Sequence, residues 1–290
     1  MMVCKYNFFP IFVKVTKAKP MSENQSMAID LEAIVKSKAG KKKIPSFAIK
    51  LLGKIIHIDL INKYLVQGYE GVEFCEKCLD YLDVRVRVEG LENLDTSGNT
   101  LYTFASNHPL GGIDGITLGM VLGKAYDGKI KYLVNDILMN LKGLAPICVP
   151  INKVGGQSRN LPKLIAEAYD SDNQMIIFPA GKCSRKIDGV IQDVAWSKSF
   201  ITKNVETKRD IVPVHFIGQN SKKFYNRDLF FKKIGIKANL TMLFLPDEMF
   251  KGRHSTFKVI FGKPIPYTQF DSSKTPQQWA QWVREEVYKI

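Results

Sequence analysis

The chain contains four histidines, at 57, 108, 215 and 254, so each can be weighed as a proton-transfer group. His57 falls on the polar stripe of a helical pattern. His215 sits inside the apolar run Ile211-Val-Pro-Val-His-Phe216 and suits a satisfied strand histidine, while His254 lies in a polar loop with Gly252 and Arg253. His108 has a different setting. Ser106-Asn-His-Pro-Leu-Gly-Gly-Ile-Asp-Gly115 follows directly on the short apolar run Leu101 to Ala105. The carboxyl ends of strands in a parallel sheet are where ligands and reactive groups gather. His108 and Asp114 are six residues apart, about 600° of helical rotation, so a regular helix would point them to different faces. Gly111-Gly112 lies between them and bends without steric cost. In a bent loop Asp114 can accept the imidazole N–H, which leaves the other ring nitrogen to take a proton from a hydroxyl.

A second block, Phe178-Pro-Ala-Gly-Lys-Cys-Ser-Arg185, is rich in cations and turn residues. Its bland interpretation is a tight turn after a buried strand. Cys183 beside Lys182 invites a nucleophilic-thiol reading, since nearby cations lower a thiol's pKa. Cysteines also occur at 4, 75, 78 and 148; an odd total at scattered positions argues against a disulfide framework and for a reducing compartment. Cys75-Glu-Lys-Cys78 has no second pair to complete a zinc site, so both are expected to be ordinary helix residues and no metal site is expected. No Gly-x-Ser-x-Gly elbow, Walker loop or dinucleotide fingerprint occurs, which leaves hydrolase, ATPase and Rossmann oxidoreductase readings unsupported.

Five segments in order resemble the glycerolipid acyltransferase family, whose type enzymes acylate lysophosphatidic acid. Asn107-His108-Pro109 with Asp114 is similar to its His-x-x-x-x-Asp motif, and Phe178 to Arg185 to its Phe-Pro-Glu-Gly-Thr-Arg-Ser-Arg motif. Val149-Pro-Ile-Asn-Lys153 resembles its Ile-Phe-Ile-Asp-Arg segment, Val212-Pro213-Val214 its Val-Pro-Val, and Gly262-Lys-Pro-Ile265 its terminal Gly-x-Pro-Ile. The resemblance spans about residue 84 to 266. It implies His108 as general base, Asp114 fixing its tautomer, and backbone N–H groups near Gly111 and Gly112 as oxyanion donors. It also implies a substrate-binding set of Lys153, Phe178, Pro179, Gly181, Lys182, Ser184 and Arg185, with Lys182 and Arg185 holding the acceptor head group. The family uses no covalent acyl-enzyme at the position of Cys183. The departures are chemical: one extra Gly between His and Asp, Ala180 for Glu, Lys182 for Thr, Cys183 for Arg, and Lys153 for Arg. Arg grips phosphate through a planar fork and Lys offers only a point charge. The pattern is therefore closer to the bacterial hemolysin-like branch, some members of which O-acylate lyso-amino-acid lipids such as ornithine or glycine lipids. No bound cofactor is implied; the co-substrate would be a thioester of acyl carrier protein or coenzyme A.

The elements that must position these groups read as alternating α/β. Val84 to Val88, Leu101 to Ala105, Lys131 to Val134, Pro146 to Ile151, Gln174 to Phe178, Ile211 to Phe216, Leu240 to Leu245 and Phe257 to Phe261 are the expected strands. Helices are expected over Tyr69 to Tyr81, Leu161 to Tyr169 and Val190 to Thr202. A capping box at Thr275-Pro-Gln-Gln278 opens a last one that runs to Tyr288. Strands spaced by helices imply an α/β fold with a mainly parallel sheet flanked by helices. Ahead of it, one amphipathic helix is expected from Phe47 to about Leu65, with Lys50, Lys54 and His57 on one stripe behind the Lys41-Lys42-Lys43 cluster.

The whole chain has 290 residues, with 42 Lys+Arg against 28 Asp+Glu and a net charge of +14. Such a surplus favours anionic partners: a membrane face, an acidic carrier protein or nucleic acid. The division expected is residues 1–26 as a disordered or non-native extension (with the start at Met21 or Met27), residues 27–83 as a helical membrane-docking region, and residues 84–290 as the acyltransferase domain. With no apolar run long enough for a transmembrane helix, the enzyme would sit peripherally on the cytoplasmic face of a bacterial inner membrane. There it would meet a lyso-lipid acceptor and an acyl carrier protein, with no nucleic acid as partner. The competing class is a non-catalytic basic protein that binds membrane or nucleic acid, for which Phe224-Tyr225-Asn-Arg227 and Phe230-Phe231-Lys232-Lys233 are the nearest basic-aromatic segments.

Overall fold

The computed structural model describes residues 27–39, 44–151, 161–235 and 239–290. Lys41 to Lys43 and Lys153 lie outside that set, as do all of the first 26 residues. Four helices come first: α1 (Leu31–Ala39), α2 (Ser46–Ile55), α3 (Ile58–Leu65) and α4 (Gly71–Tyr81). A seven-stranded sheet follows, built from β1 (Arg85–Glu89), β2 (Tyr102–Ser106), β3 (Ile130–Val134), β4 (Cys148–Pro150), β5 (Gln174–Ile177), β8 (Asp210–Ile217) and β9 (Thr256–Phe261). Its spatial order is β1-β9-β8-β2-β5-β3-β4, and every pairing is parallel except β8 with β9. The hairpin β6 (Arg185–Ile187) and β7 (Val190–Gln192) stands apart. Connecting helices are α5 (Ile113–Ala125), α6 (Leu161–Asp170), α7 (Ser199–Thr207), α8 (Lys222–Lys233), α9 (Leu245–Lys251) and α10 (Pro276–Lys289).

β2 lies at the centre of the sheet, and all five of its residues are buried. Its side chains alternate between the two faces, as strand geometry requires. Phe104 joins the core under α4 and α5, with Phe74, Leu118 and Leu122. Ala105 joins the opposite core under α7 and α10, with Phe200, Trp279 and Val283. α4 and α5 approach closely because α5 carries glycine at the contact: a Cβ on Gly119 would stand 2.6 Å from Cys75 Sγ, and one on Gly123 2.4 Å from Val72. That explains the CxxC. Cys75 and Cys78 are buried helix residues whose thiols burial pushes up, Cys78 to about 12.

Three expected elements differ. The helix expected from Phe47 to Leu65 breaks between α2 and α3, where His57 adopts φ 58° and its Nε2 lies 3.0 Å from Asp247 Oδ1. Val190 to Thr202 begins as strand β7: Asp188 (φ 48°) and Gly189 (φ 84°) form the left-handed two-residue turn that an Asp-Gly pair favours in hairpins, and helix α7 starts only at Ser199. Leu240 to Leu245 is a tight 3-10 turn running into α9, with Pro246 in the first turn of that helix, where a missing N–H costs nothing. The boundary at residue 83 is not a boundary of packing, since Tyr64, Leu65 and Phe74 share one buried cluster with Phe104 and Leu118.

Candidate active site

β2 delivers His108 to the carboxyl end of the sheet. Asn107 anchors the exit: its Nδ2–H donates to Phe216 O (3.0 Å) and its Oδ1 accepts from Phe216 N–H (2.7 Å), tying β2 to β8. The chain then turns at Gly111, whose φ of 75° is unfavourable for any residue with a Cβ. α5 begins at Ile113, and Asp114 sits in its first turn. The turn brings Asp114 Oδ2 to 3.0 Å from His108 Nδ1, the approach expected from the Gly111-Gly112 bend.

Asp114 has no exposed side-chain surface, whereas His108 keeps 18% of its own. Oδ2 also accepts the N–H groups of Leu110 (2.9 Å) and Gly111 (3.1 Å), and Oδ1 those of Gly112 and Gly115 (2.9 Å each). Four amides and a helix N-terminus make this a carboxylate that stays ionised although buried. Burial acts to raise its pKa, but His108 and these amides outweigh it and hold the carboxyl below its usual range. For His108, burial acts to lower the pKa; the Asp114 charge and hydrogen bond, helped by Asp193, outweigh it and leave the imidazole above 6.5. The same bonds correct one expectation. The Gly111 and Gly112 amides point into the Asp114 carboxylate and are not free for an oxyanion, because the longer loop wraps its own acid.

The second block stands beside this pair. Phe178, at the end of β5, stacks on the His108 ring with centroids 4.0 Å apart and 27° between planes. Pro179 O accepts Ser197 N–H, and Gly181 (φ 66°) closes a turn back to Phe178 O. Lys182 is exposed. Ser184 and Arg185 are buried, against the expectation of substrate contact. Ser184 Oγ donates to Asp193 Oδ1 (2.6 Å). Arg185 is only 2% exposed and spends its fork inside the protein. Nε meets Asp228 at 3.0 Å, Nη2 donates to Asn239 and Thr241, and Nη1 to Cys183 O and Sγ. A guanidinium saturated in this way has no donor to offer a head group. Cys183 is buried too, and burial pushes its thiol up, so it is not a poised nucleophile. His215 Nδ1 bonds Ile290 O and His254 Nδ1 bonds Asp83, both remote from His108 in sequence and partners.

Asp193 was not singled out by the sequence. Its carboxylate accepts the His108 N–H (3.3 Å), Ser184 Oγ–H and Trp196 Nε1–H (3.0 Å). A buried acid after an unrecognised hairpin leaves no spacing signal. A cavity of about 550 Å³ opens next to the bend, with Leu110, Ile113, Met249 and Phe257 among its apolar walls and Lys186, Lys222 and Lys251 among its polar ones. Among the described residues, no group of three or more His, Cys, Asp or Glu is placed to hold a metal ion, and no helix is long and apolar enough to cross a membrane.

A mainly parallel α/β sheet that presents a carboxylate-backed histidine at the end of its central strand is a scaffold for proton abstraction from a hydroxyl. The chain belongs to the acyltransferase family: the family model described as "Acyltransferase" matches residues 33–290. It is 55% identical over 274 residues to the lyso-glycine lipid O-acyltransferase of Bacteroides thetaiotaomicron, covering 93% of this chain and 100% of that protein. It is 52% identical over 274 residues to the protein of the same name from Phocaeicola vulgatus, covering 93% and 98%. Among solved structures, the 1-acyl-sn-glycerophosphate (LPA) acyltransferase from Thermotoga maritima aligns over 93% of this chain and 94% of that one, at 14% identity and a TM-score of 0.47. The chain is thus an acyltransferase, and the non-catalytic alternative falls.

Proposed function

We propose that this acyltransferase moves an acyl chain from a thioester to the hydroxyl of a lyso-glycine lipid at a membrane surface. The observation that carries the chemistry is the His108–Asp114 pair. With Nδ1 engaged by the carboxylate, Nε2 is the free base. It takes the hydroxyl proton as the oxygen attacks the thioester carbonyl; the tetrahedral adduct then expels the thiolate, which receives that proton from the imidazolium. Asp114 holds the tautomer and stabilises the imidazolium formed in between.

The acceptor assignment leans on the two relatives, both lyso-glycine lipid O-acyltransferases, and on the charge chemistry of the second block. A phosphate-binding fork is missing: Cys183 replaces one Arg, and Arg185 is occupied by Asp228. With one Arg absent and the other saturated, fewer cations remain for a head group, exposed Lys182 among them, which suits the single charge of a carboxylate better than a phosphate dianion. The apolar walls and lysine rim of the cavity beside Leu110 suit a thioester donor, of acyl carrier protein or coenzyme A. Docking is assigned to α2, peripherally and on the cytoplasmic face of the inner membrane. The test is purified protein with both labelled donors, offered lyso-glycine, lyso-ornithine and lysophosphatidic acceptors, with products read by mass. Acylated glycine lipid as the dominant product is the expected result. Preference for lysophosphatidic acid would overturn the acceptor assignment, and no thioester consumption with any acceptor would overturn the mechanism.

A further inference from the structure

His108 leaves the ladder of β2 just where its main chain needs new partners, because a buried amide or carbonyl without one is costly. Both of its polar backbone atoms find them in the segment from Ser184 to Asp193. The His108 carbonyl accepts Ser184 N–H at 2.8 Å, and the His108 N–H donates to Asp193 Oδ1 at 3.3 Å. Ser184 Oγ–H donates to that same carboxylate oxygen at 2.6 Å. The four groups close a ring around the backbone of one residue, the proposed base.

Asp193 is itself held on every side. Trp196 Nε1–H donates to Oδ2, its own N–H donates to Tyr288 Oη (2.9 Å), and its carbonyl accepts Arg284 Nη2–H (2.8 Å). At 1% exposure it cannot slide toward solvent. We infer that Asp193 is a positioning residue for His108: its Oδ1 welds the His108 main chain to Ser184 of the second block and sets where the imidazole stands. Stacking on Phe178 and the bond to Asp114 fix the ring; the Asp193–Ser184 ring fixes the backbone that carries it. Catalytic groups displaced by about 1 Å lose on the order of 10²-fold in rate, so such anchoring is felt in kcat.

The carboxylate also adds a charge. The charged groups that face His108 are Asp114 from α5, Asp193 from the loop after β7 and Arg185 from β6, while Phe178 at the end of β5 is neutral. Removing Asp193 takes away one of two negative neighbours and lets the imidazole lose its proton at lower pH.

This inference rests on His108 as the base, so its test needs a readout that does not. Asp193→Asn leaves an amide facing the Trp196 N–H, two donors in opposition. The variant is therefore made in a Trp196→Phe parent and compared with that parent. Expected is a folded protein with unchanged circular dichroism, kcat lower by about 10- to 100-fold and acceptor KM within about twofold. By imidazole NMR without substrate, the His108 titration midpoint moves to lower pH. Asp193→Glu, which keeps the charge but displaces the oxygen, should hold that midpoint while kcat still falls. A folded Asn variant with the parent's kcat and an unmoved His108 midpoint would overturn the inference and leave Asp193 a loop staple. Wild-type protein that consumes no thioester would instead sink the proposed function, and the NMR arm would still decide the Asp193–His108 link.

Discussion

The carboxylate of Asp114 receives four main-chain amides and an imidazole, so the pair is asymmetric: the acid is immobile and the base alone meets solvent. His108→Ala should therefore remove turnover without unfolding the chain, with a loss of at least about 10²-fold, the lower end for a general base. Near-normal thioester consumption by the folded variant would defeat the role. As the proposed base, His108 would work only when neutral, and its pKa is raised above 6.5. The acid limb of kcat/KM should accordingly lie above pH 6.5, with the rate rising as His108 deprotonates. Stability runs the other way. A raised folded-state pKa gives a contribution present in full below pH 6.5 and lost as pH rises through the folded value, and Asp114, with its lowered pKa, contributes above its ordinary range and loses that on acidification. His108 and Asp114 were legible in the sequence because a histidine after a strand and two glycines before an acid describe one bend. Asp193 was not, because the site groups it holds, the His108 amide and Ser184, lie 85 and nine residues away and no period connects them.

At the scale of elements, α9 is the part that sequence pattern misread and the site depends on. It packs on the bend: a Cβ on Gly111 would meet Leu245 at 2.9 Å and Cys183 at 3.0 Å, and one on Gly112 would meet Met249 Sδ at 2.6 Å. The two glycines should nevertheless differ. Gly111→Ala is strained by its φ of 75°, a left-handed conformation costing about 1–2 kcal/mol with a Cβ, and its neighbours add a clash. Gly112 needs no left-handed backbone, and the long Met249 side chain can swing aside. Urea midpoints should fall further for Gly111→Ala than for Gly112→Ala, with kcat falling in the same order; equal midpoints would mean that the bend does not depend on this conformation. A short, mostly apolar run such as Leu240 to Leu245 cannot declare strand or helix by periodicity. The central strands were readable because burial on both faces gives them a near-continuous apolar text. The Asp188-Gly189 pair is a hairpin signal that went unread, because Val190 and Ile191 fit a helical pattern as well.

Across the whole molecule, a charge of +14 and an exposed face on α2 bear on how the enzyme would reach a lipid. The apolar circumference expected of one long helix is largely spent inside: Ile49 and Gly53 are buried, and Ile55 is half-buried. What remains outside is Phe47, Lys50, Leu51 and Lys54, at i, i+3, i+4 and i+7, with Phe47 74% and Leu51 57% exposed. Two large apolar side chains flanked by two lysines suit the boundary between lipid head groups and acyl chains. The lysines, with Lys41 to Lys43 preceding the helix in sequence, supply attraction of up to about 1 kcal/mol each at an anionic leaflet. Screening shortens the reach of that attraction to about 10 Å at 0.1 M salt, whereas burial of Phe47 and Leu51 is insensitive to it. The two contributions should separate in co-sedimentation with anionic vesicles. Lys41→Glu/Lys42→Glu/Lys43→Glu should abolish most low-salt binding, and Phe47→Asp/Leu51→Asp should remove the fraction that survives high salt. Because both apolar residues are exposed, the second variant should melt like wild type, so lost binding would not be lost fold. Vesicle binding unchanged in both variants would rule out α2, and the exposed Phe230 and Ile234 of the α8 region would then be the surface to test next.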